Sequence, residues 1–516
     1  MKKTVLFAIF TLFISSFSFS QGNLKDITIL HWNDFHGRNL PYKVSKKVDG
    51  EEIQYFVGGT AGMLGYLNKY RNNNSLVVNG GDDYQGTPIS SITKGFSQIH
   101  LLNLYNLDAF VLGNHEFDYG QYLLDSALQT ANFDYLSGNV FFEPKEFTMG
   151  KPYTIKEING VKIGIIGLTA LELPELSLPS NIDMIDMLNA DSIVADAIPK
   201  LKSEGCNMIM LLTHIGLDHD KEMAEKFYPD LDVIVGGHSH TPLFEPVIQN
   251  GVIIVQAGSY GRWLGKLDLQ VDIDKDTVLF FAGELVETVL DSAIMDGSAQ
   301  IEVDRLLGDI DDELHEVLGE LKTPWERKSA VESNLGQWEA DVFRNKTGSD
   351  IGFINSGGLR SDLFAGNITV NDIWTINPFG NTVVKIKVSG KVLKEMMSNA
   401  ISKNYRELKE SGYTDMVITS GLEIEFDSKA IMNNEPEFIK VFMINGKELD
   451  ENKEYVIATN NYVGQQFEKF FGTVSERPGI DDTNIIDRDL LIDAVKEQKV
   501  INSNIEKRIK DINKQE

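Results

Sequence analysis

A single cysteine, Cys206, stands in 516 residues. One thiol cannot close an internal disulfide, so stability has to come from the size of the core. Cys206 lies in the apolar run "CNMIMLLTH" and reads as a small buried side chain rather than a nucleophile. Positive charge is also scarce: 48 Lys and Arg face 76 Asp and Glu, for a formal net charge of −28. A surface this negative repels nucleic acid and anionic lipid. A phosphorylated ligand could enter such a field only with local cations, and metal ions are one way to supply them. Low-complexity blocks and short repeats are missing. The apolar run at 5–14 is too short for a membrane span.

Residues 1–20 read instead as a secretory signal. Lys2 and Lys3 form a basic start, the apolar run follows, and Ser18-Phe19-Ser20 is a small-x-small cleavage site. No cysteine near the cut could carry a lipid, and the C-terminal "KRIKDINKQE" is polar. The expected product is periplasmic or secreted, soluble and without a membrane anchor.

Hydrophobic residues make up 42% of the chain, and the length suits two full-sized domains. From 24 to 290, short Val- and Ile-rich runs alternate with amphipathic stretches. The runs "ITILHW", "SLVVNG", "AFVLG", "VKIGIIGL", "MIMLLTH", "LDVIVGG" and "VIIVQAG" predict buried strands. "GMLGYLNKYRNN" and "YLLDSALQTAN" between them predict helices, which makes a layered α/β domain. Over 299–322, Ile301, Leu306, Ile310, Leu314, Val317 and Leu321 recur every three to five positions. That spacing predicts one long amphipathic linker helix, ended by Thr323-Pro324. Residues 325–516 read as an α+β domain, with helices at 338–346 and 390–402 and strands in "TVVKIKVSG" and "GLEIEF".

Polar residues collect where the apolar runs end. Asp34 and His36 follow the first, Asp82 the second, and Asn114, His115 and Asp118 the third. His214 closes the run at 208–214, and His238 and His240 follow the run at 231–237. Residues past strand C-termini converge on one edge of an α/β sheet, where ligands bind. A lone histidine there is more often structural; five strand ends repeating the pattern point to a site. Mixed carboxylate, imidazole and amide donors suit Zn²⁺, Mn²⁺ or Fe²⁺ better than Ca²⁺ or Mg²⁺. The D-x-H and H-x-H pairs have the period-two spacing that aims two side chains at one point. Two ions about 3.5–4 Å apart would clamp both oxygens of a phosphoryl transfer, with Asp82 the natural bridging carboxylate.

"DFHG", "GGDDYQGTP", "GNHEFD", "LLTHIG" and "GGHSHTP", continued by "VQAGSYGRWLGKLDL", resemble the calcineurin-like metallophosphoesterases in order and spacing, and more narrowly the 5'-nucleotidase/UDP-sugar hydrolase family. The resemblance implies a four-layer α/β-β/α metallophosphoesterase domain, a linker helix and a C-terminal α+β substrate-binding domain. It implies that Asp34, His36 and His240 hold one metal, that Asn114, His214 and His238 hold the other, and that Asp82 bridges them. His115 and Asp118 would be the catalytic dyad, and a metal-bound hydroxide the nucleophile. An imidazole oriented by a carboxylate is a good proton handler near neutral pH.

In the second half, "INSGGLRSDL" resembles the family's Asn/Gly/Gly/Arg loop. Gly357 and Gly358 allow close backbone approach, Arg360 can grip phosphate bidentately, and Asn355 would help hold base or sugar. By the same resemblance, Phe379 is one face of a nucleobase slot and Tyr462 the other. Two departures bear on the substrate. Gln465-Gln466-Phe467-Glu468 stands where the family has Gly-Gly-Asp-Gly, and Asn334 stands where some members carry a phosphate-binding arginine. The expected activity is hydrolysis of nucleoside 5'-monophosphates. The alternatives are the same chemistry on UDP-sugars, 2',3'-cyclic nucleotides or another phosphate ester, and a non-catalytic exported binding protein. The last is disfavoured because His115 and Asp118 are both present. If the two halves share the substrate, the helix at 299–322 is expected to serve as a hinge.

Overall fold

The computed structural model describes residues 23–48, 50–308, 311–328 and 331–514. The segment read as an export signal lies outside them. Among the described residues no helix is long and apolar enough to cross a membrane.

All seven apolar runs of the first half form strands, in two six-stranded sheets. Leu24–Trp32, Ser75–Asn79, Ala109–Val111 and Asp134–Leu136 run parallel in the first sheet. Trp263–Asp272 and Thr277–Glu287 extend it antiparallel. Val161–Leu168, Met208–Thr213, Val233–Val235 and Val252–Val255 are the parallel centre of the second. Alternation along each strand explains the layering. Ile27 and Ile29 pack with Ile163, Ile165, Met210 and Leu212 in a core shared by the two sheets. Leu30 and Trp32, one residue out of phase, turn to the helices Thr60–Tyr70 and Gln121–Leu128. On the far side Ile166 and Leu211 meet Ala190–Ser203 and Leu217–Phe227. The result is four layers, with both sheets covered on both faces, which is why the runs are apolar throughout rather than alternating. Truncating Ile165 to Ala in the shared layer should cost about 2–5 kcal/mol.

The second half is built on a five-stranded sheet, in the order Val417–Ser420, Ile351–Asn355, Glu454–Asn460, Thr382–Ser389, Ile480–Ile486. Helices Asn334–Thr347, Gly390–Ser411 and Asp487–Gln498 cover it, with an apolar cluster on each face.

The expected linker helix is corrected. The helix runs only from Gly297 to Leu307, a short turn covers Asp311–Leu314, and Val317–Leu321 is a strand paired with Gly366–Thr369 and Val500–Ile501. Gly308, at φ 46, ends the helix. The buried face is Ala299, Val303 and Leu307, whereas Ile301 is 71% exposed. Leu318 and Leu321 instead join the core of the second half. Spacing of three to five cannot distinguish one long helix from a helix followed by a strand. The surviving helix packs on Thr60–Tyr70 through Ala299, so it is docked to the first half rather than free as a hinge rod.

Candidate active site

The predicted donors meet at one edge of the stacked sheets. Asp34, His36, Asp82, His238 and His240 all have positive φ, between 51° and 75°. Non-glycine residues rarely adopt this left-handed conformation, and it persists only where surroundings over-determine it. Here it turns the chain sharply after each strand, so that short segments aim side chains back at the sheet edge. Gly113 is needed for a close approach: a Cβ there would fall 2.2 Å from Asp82 Oδ1.

Three groups form, with ligand atoms within 4.8 Å of one another: Asp34, His36 and His240; His36, Asp82 and His115; Asp82, His214 and His238. Asp82 belongs to two of them, beside His36 in one and beside His214 and His238 in the other. His36 Nε2 and His240 Nε2 face each other at 3.1 Å, and His214 Nε2 lies 3.0 Å from Asp82 Oδ2. The opposite ring nitrogens are committed. His36 Nδ1 donates to the Gln85 carbonyl at 3.1 Å, and His214 Nδ1 to the Gly80 carbonyl at 2.6 Å. Such outer bonds fix the tautomer that leaves Nε2 free to ligate. Asp34 Oδ1, Asn114 Oδ1 and His214 Nε2 are buried with no hydrogen-bond partner, a costly state unless something else binds them. Two carboxylates, four imidazoles and an amide, three of whose atoms are buried and orphaned, therefore fit a pair of borderline divalent ions.

His115 and Asp118 form a different unit. His115 Nδ1 donates to Asp118 Oδ2 at 2.7 Å, and the His115 backbone N–H donates to Asp82 Oδ1 at 2.8 Å. The ring of His115 lies 5.2 Å from that of His36. Burial pushes the His115 imidazole down, but the carboxylates of Asp118 and Asp82 outweigh it and the net shift is upward. Burial raises Asp118. Asp34 and Asp82, also pushed up by burial, are pulled below the ordinary carboxylate range by the surrounding histidines. His238 is lowered to about 4 by burial and by the charge of His214.

The second half reaches the same edge. Arg360 NH2 stands 3.1 Å from His36 Nε2, and the Tyr260 hydroxyl donates to the Arg360 carbonyl at 3.1 Å. The Phe379 ring lies 5.7 Å from the His115 ring, and the Arg360 guanidinium 5.7 Å from Phe379. Asn355 is buried and already used: it donates to Asp415 Oδ2 at 3.3 Å and accepts from Asn460 at 3.2 Å. Gly358 packs against it, a Cβ there falling 3.0 Å from Asn355 Oδ1. Tyr462 packs edge-on to Phe470, and its hydroxyl donates to the Glu175 carbonyl of the first half at 3.1 Å. Gln466, in the altered segment, donates to the carbonyls of Pro174 and Ser177 at 3.0 and 2.9 Å. Glu468 does not take the place of the family's aspartate. It is 67% exposed and faces Arg477 at 3.5 Å. Asn334 is structural, donating to the carbonyls of Pro324 and Ser503.

Several residues escaped the sequence reading. Glu116 is fully buried, and its carboxylate accepts from the backbone N–H groups of Asp82, Asp83, Tyr84 and Gly113 at 2.6–3.2 Å. It ties two ligand-bearing turns together, and its place inside "GNHEFD" was the available signal. Asn33 Nδ2 holds Asp34 Oδ2 at 2.6 Å. Arg38 and Arg327 place guanidiniums 4.8 and 5.9 Å from the Tyr260 ring. Burial raises the Tyr260 phenol, but Arg327, Arg360 and Arg38 bring it below its ordinary value. These are local cations of the kind an anionic substrate needs in so acidic a chain.

The calcineurin-like phosphoesterase family model matches residues 27–242, and the 5'-nucleotidase C-terminal domain model matches 317–474. A 5'-nucleotidase of Diplobatis ommata is 28% identical over 96% of this chain and 92% of its own length. The trifunctional nucleotide phosphoesterase protein YfkN of Bacillus subtilis is 26% identical over 95% of this chain, which spans 35% of that longer protein. Among solved structures, a 5'-nucleotidase precursor from Thermus thermophilus superposes with a TM-score of 0.83 at 27% identity, covering 95% of this chain and all of that one. With the buried donor groups, these matches place the chain in the 5'-nucleotidase family, as a metallophosphoesterase that joins a calcineurin-like phosphoesterase domain to a 5'-nucleotidase C-terminal domain.

Proposed function

We propose that the chain is an exported phosphoesterase that releases phosphate from nucleoside 5'-monophosphates. One observation carries this reading: Arg360 and Phe379 of the second half stand against His36 and His115 of the first. A guanidinium for the phosphoryl group and an aromatic face for a base thus adjoin the metal donors. The relatives named 5'-nucleotidase support it. Export rests on residues 1–20 alone.

In this reading Asp34, His36 and His240 would hold one ion and Asn114, His214 and His238 the other, with Asp82 shared between them and Zn, Mn or Fe the best match to the donors. Bound there, the ions supply Lewis acidity and a water of lowered pKa. Arg360 neutralises and orients the phosphoryl oxygens. His115, its Nδ1–H held by Asp118, presents Nε2 to the leaving oxygen and manages the proton there. Phe379 stacks the base, and Tyr462 closes the slot from the opposite side.

A second reading keeps the chemistry and changes the leaving group, to a UDP-sugar, a 2',3'-cyclic nucleotide or another ester. The position of Glu468 favours it, because that carboxylate is exposed and paired with Arg477. The test is a panel of phosphate esters, run after EDTA treatment and again after Mn²⁺ or Zn²⁺ is restored. Metal-dependent hydrolysis of AMP is expected; metal-dependent hydrolysis of other esters but not AMP would leave the second reading standing.

A further inference from the structure

The turn that carries Phe379 is gripped by two buried residues, Asp487 and Arg488, at the start of helix Asp487–Gln498. The Asp487 backbone N–H donates to the Asn381 carbonyl at 2.8 Å. Its Oδ2 accepts from Asn377 Nδ2 at 3.1 Å, and its Oδ1 from the Arg488 N–H at 2.7 Å. Arg488 NH1 reaches the carbonyls of Pro378 at 3.3 Å and Asn377 at 3.5 Å. Its guanidinium carbon stacks 3.3 Å from the centre of the Trp374 ring. Gly380, at φ 65, passes beneath this group: a Cβ there would come 3.4 Å from Arg488 NH2. Asn377, Pro378 and Asn381 are thus bonded to the pair, on either side of Phe379 and Gly380.

This arrangement is more expensive than a turn requires. Arg488 Nε and Asn377 Oδ1 are buried without partners, and nearby Glu339 Oε1 is too. Burial raises Asp487 to about 7 and lowers the Arg488 guanidinium. Apolar packing could hold a surface turn at less cost than a desolvated Asp–Arg pair with orphaned atoms. What the polar grip adds is direction, because a planar guanidinium stacked on an indole and bonded to two carbonyls fixes orientation as well as contact. The pair also lies at the domain boundary, within electrostatic reach of Tyr119, the neighbour of Asp118.

We propose that Asp487 and Arg488 are positioning residues for the substrate slot: by clamping residues 377–381 they set the Phe379 ring at its distance from His115, and so select leaving groups with an aromatic base. This rests on the nucleotidase reading for its substrate, but not for its geometry. It separates two tasks within the second domain. Arg360 serves any phosphate ester, whereas the clamp serves only those whose leaving group stacks.

The test uses the metal-loaded enzyme with Arg488→Lys, which keeps the charge and loses the planar stack, and with Asp487→Asn. Kinetics are measured on AMP and on glycerol 2-phosphate, which has no ring, with adenosine as competitive inhibitor. Metal content and amide exchange at 379–382 are followed in parallel. For Arg488→Lys, KM for AMP and the inhibition constant for adenosine should rise together, by about 5- to 30-fold, the worth of one or two hydrogen bonds. Turnover of glycerol 2-phosphate and metal content should stay within twofold, and exchange at 379–382 should quicken. Equal losses on both esters, or quickened exchange with unchanged AMP and adenosine constants, would overturn the proposal. If Arg488→Lys fails to fold, Asp487→Asn is read by the same criteria. A wild type that neither hydrolyses AMP nor binds adenosine sinks the nucleotidase reading instead. The clamp is then judged by exchange alone, and unchanged protection at 379–382 in both variants would refute it.

Discussion

The two halves of this molecule build their parts of the site by different means. In the first half, five of the seven expected metal donors have left-handed backbone, each a local cost of order 1–3 kcal/mol met by the surrounding sheets. In the second, none of Asn355, Arg360, Phe379 and Tyr462 is strained in this way. They are held by side-chain networks: Asp415 on the Asn355 loop, Asp487 and Arg488 on the Phe379 turn, Lys469 on Tyr462. Strained turns at strand ends leave little freedom, because the geometry belongs to the main chain. Networks of long side chains can be rewired one residue at a time, as Gln466 is where the family has glycine. Chemistry is therefore expected to fail uniformly when the first half is changed, and specificity to drift when the second is.

The largest effect should come from His115→Ala. Turnover should fall by about 10²–10⁴-fold on every ester hydrolysed, the range for a positioned acid–base group, while metal content stays the same. Measuring kcat on AMP and on a ring-free ester, beside metal analysis, checks this. Loss of metal along with activity would make His115 a ligand and blur the distinction drawn above.

Glu116→Gln should come next. One amide oxygen cannot replace two carboxylate oxygens that accept four N–H groups, and the amide's own NH2 would face donors. The turns carrying Asp82 and Asn114 then lose their tie. Metal affinity should drop by about 10–100-fold, as for residues that orient ligands, and activity should return at high metal. Metal titration of the stripped protein reads it directly. Smaller again is Phe379→Ala, expected to raise KM for a nucleotide on the order of tenfold through lost stacking, with kcat on ring-free esters unaffected. A change in kcat on all esters would place Phe379 with the chemistry instead.

How far such roles were legible in the sequence follows the same division. Asp34, His36, His238 and His240 could be read because D-x-H and H-x-H after an apolar run are local patterns, and because parallel sheets gather their strand ends. The strands could be read because both faces are covered, leaving the runs apolar throughout. The strand Val317–Leu321 could not, since its partners Gly366–Thr369 and Val500–Ile501 lie far along the chain and its spacing imitates a helix. Arg488 gave no signal for a similar reason, and Gln466 stood out only as a departure from the family's glycines, with nothing to say what it holds. Each acts on a segment about 110 or 290 residues away, and neither residue type is unusual in a helix. Glu116 was in plain view, but an acceptor of backbone N–H groups leaves no mark on spacing.

The smallest effect sought is one on stability with none on turnover, and Asp232 offers it. This residue precedes strand Val233–Val235, and its Oδ2 accepts from the Ile209 N–H at 2.9 Å. Burial raises its carboxyl to about 6, only partly offset by that bond and by Lys202. The ordinary value, 3.8, applies in the unfolded chain. Between those two values the folded chain binds the proton and the unfolded chain has released it. Stability from this group is therefore present at low pH, falls as pH rises from about 4 to about 6, and stays lost above. Asp232→Asn keeps an oxygen to accept the Ile209 N–H and removes the charge. It should raise the melting temperature by about 2–4 °C at pH 7.5, roughly 1 kcal/mol in a domain of this size, and leave it unchanged near pH 4. AMP hydrolysis should not change at either pH. Equal stabilisation at both would mean that packing rather than charge is responsible. Altered turnover would mean that a charge at the start of this strand is felt at the metal edge.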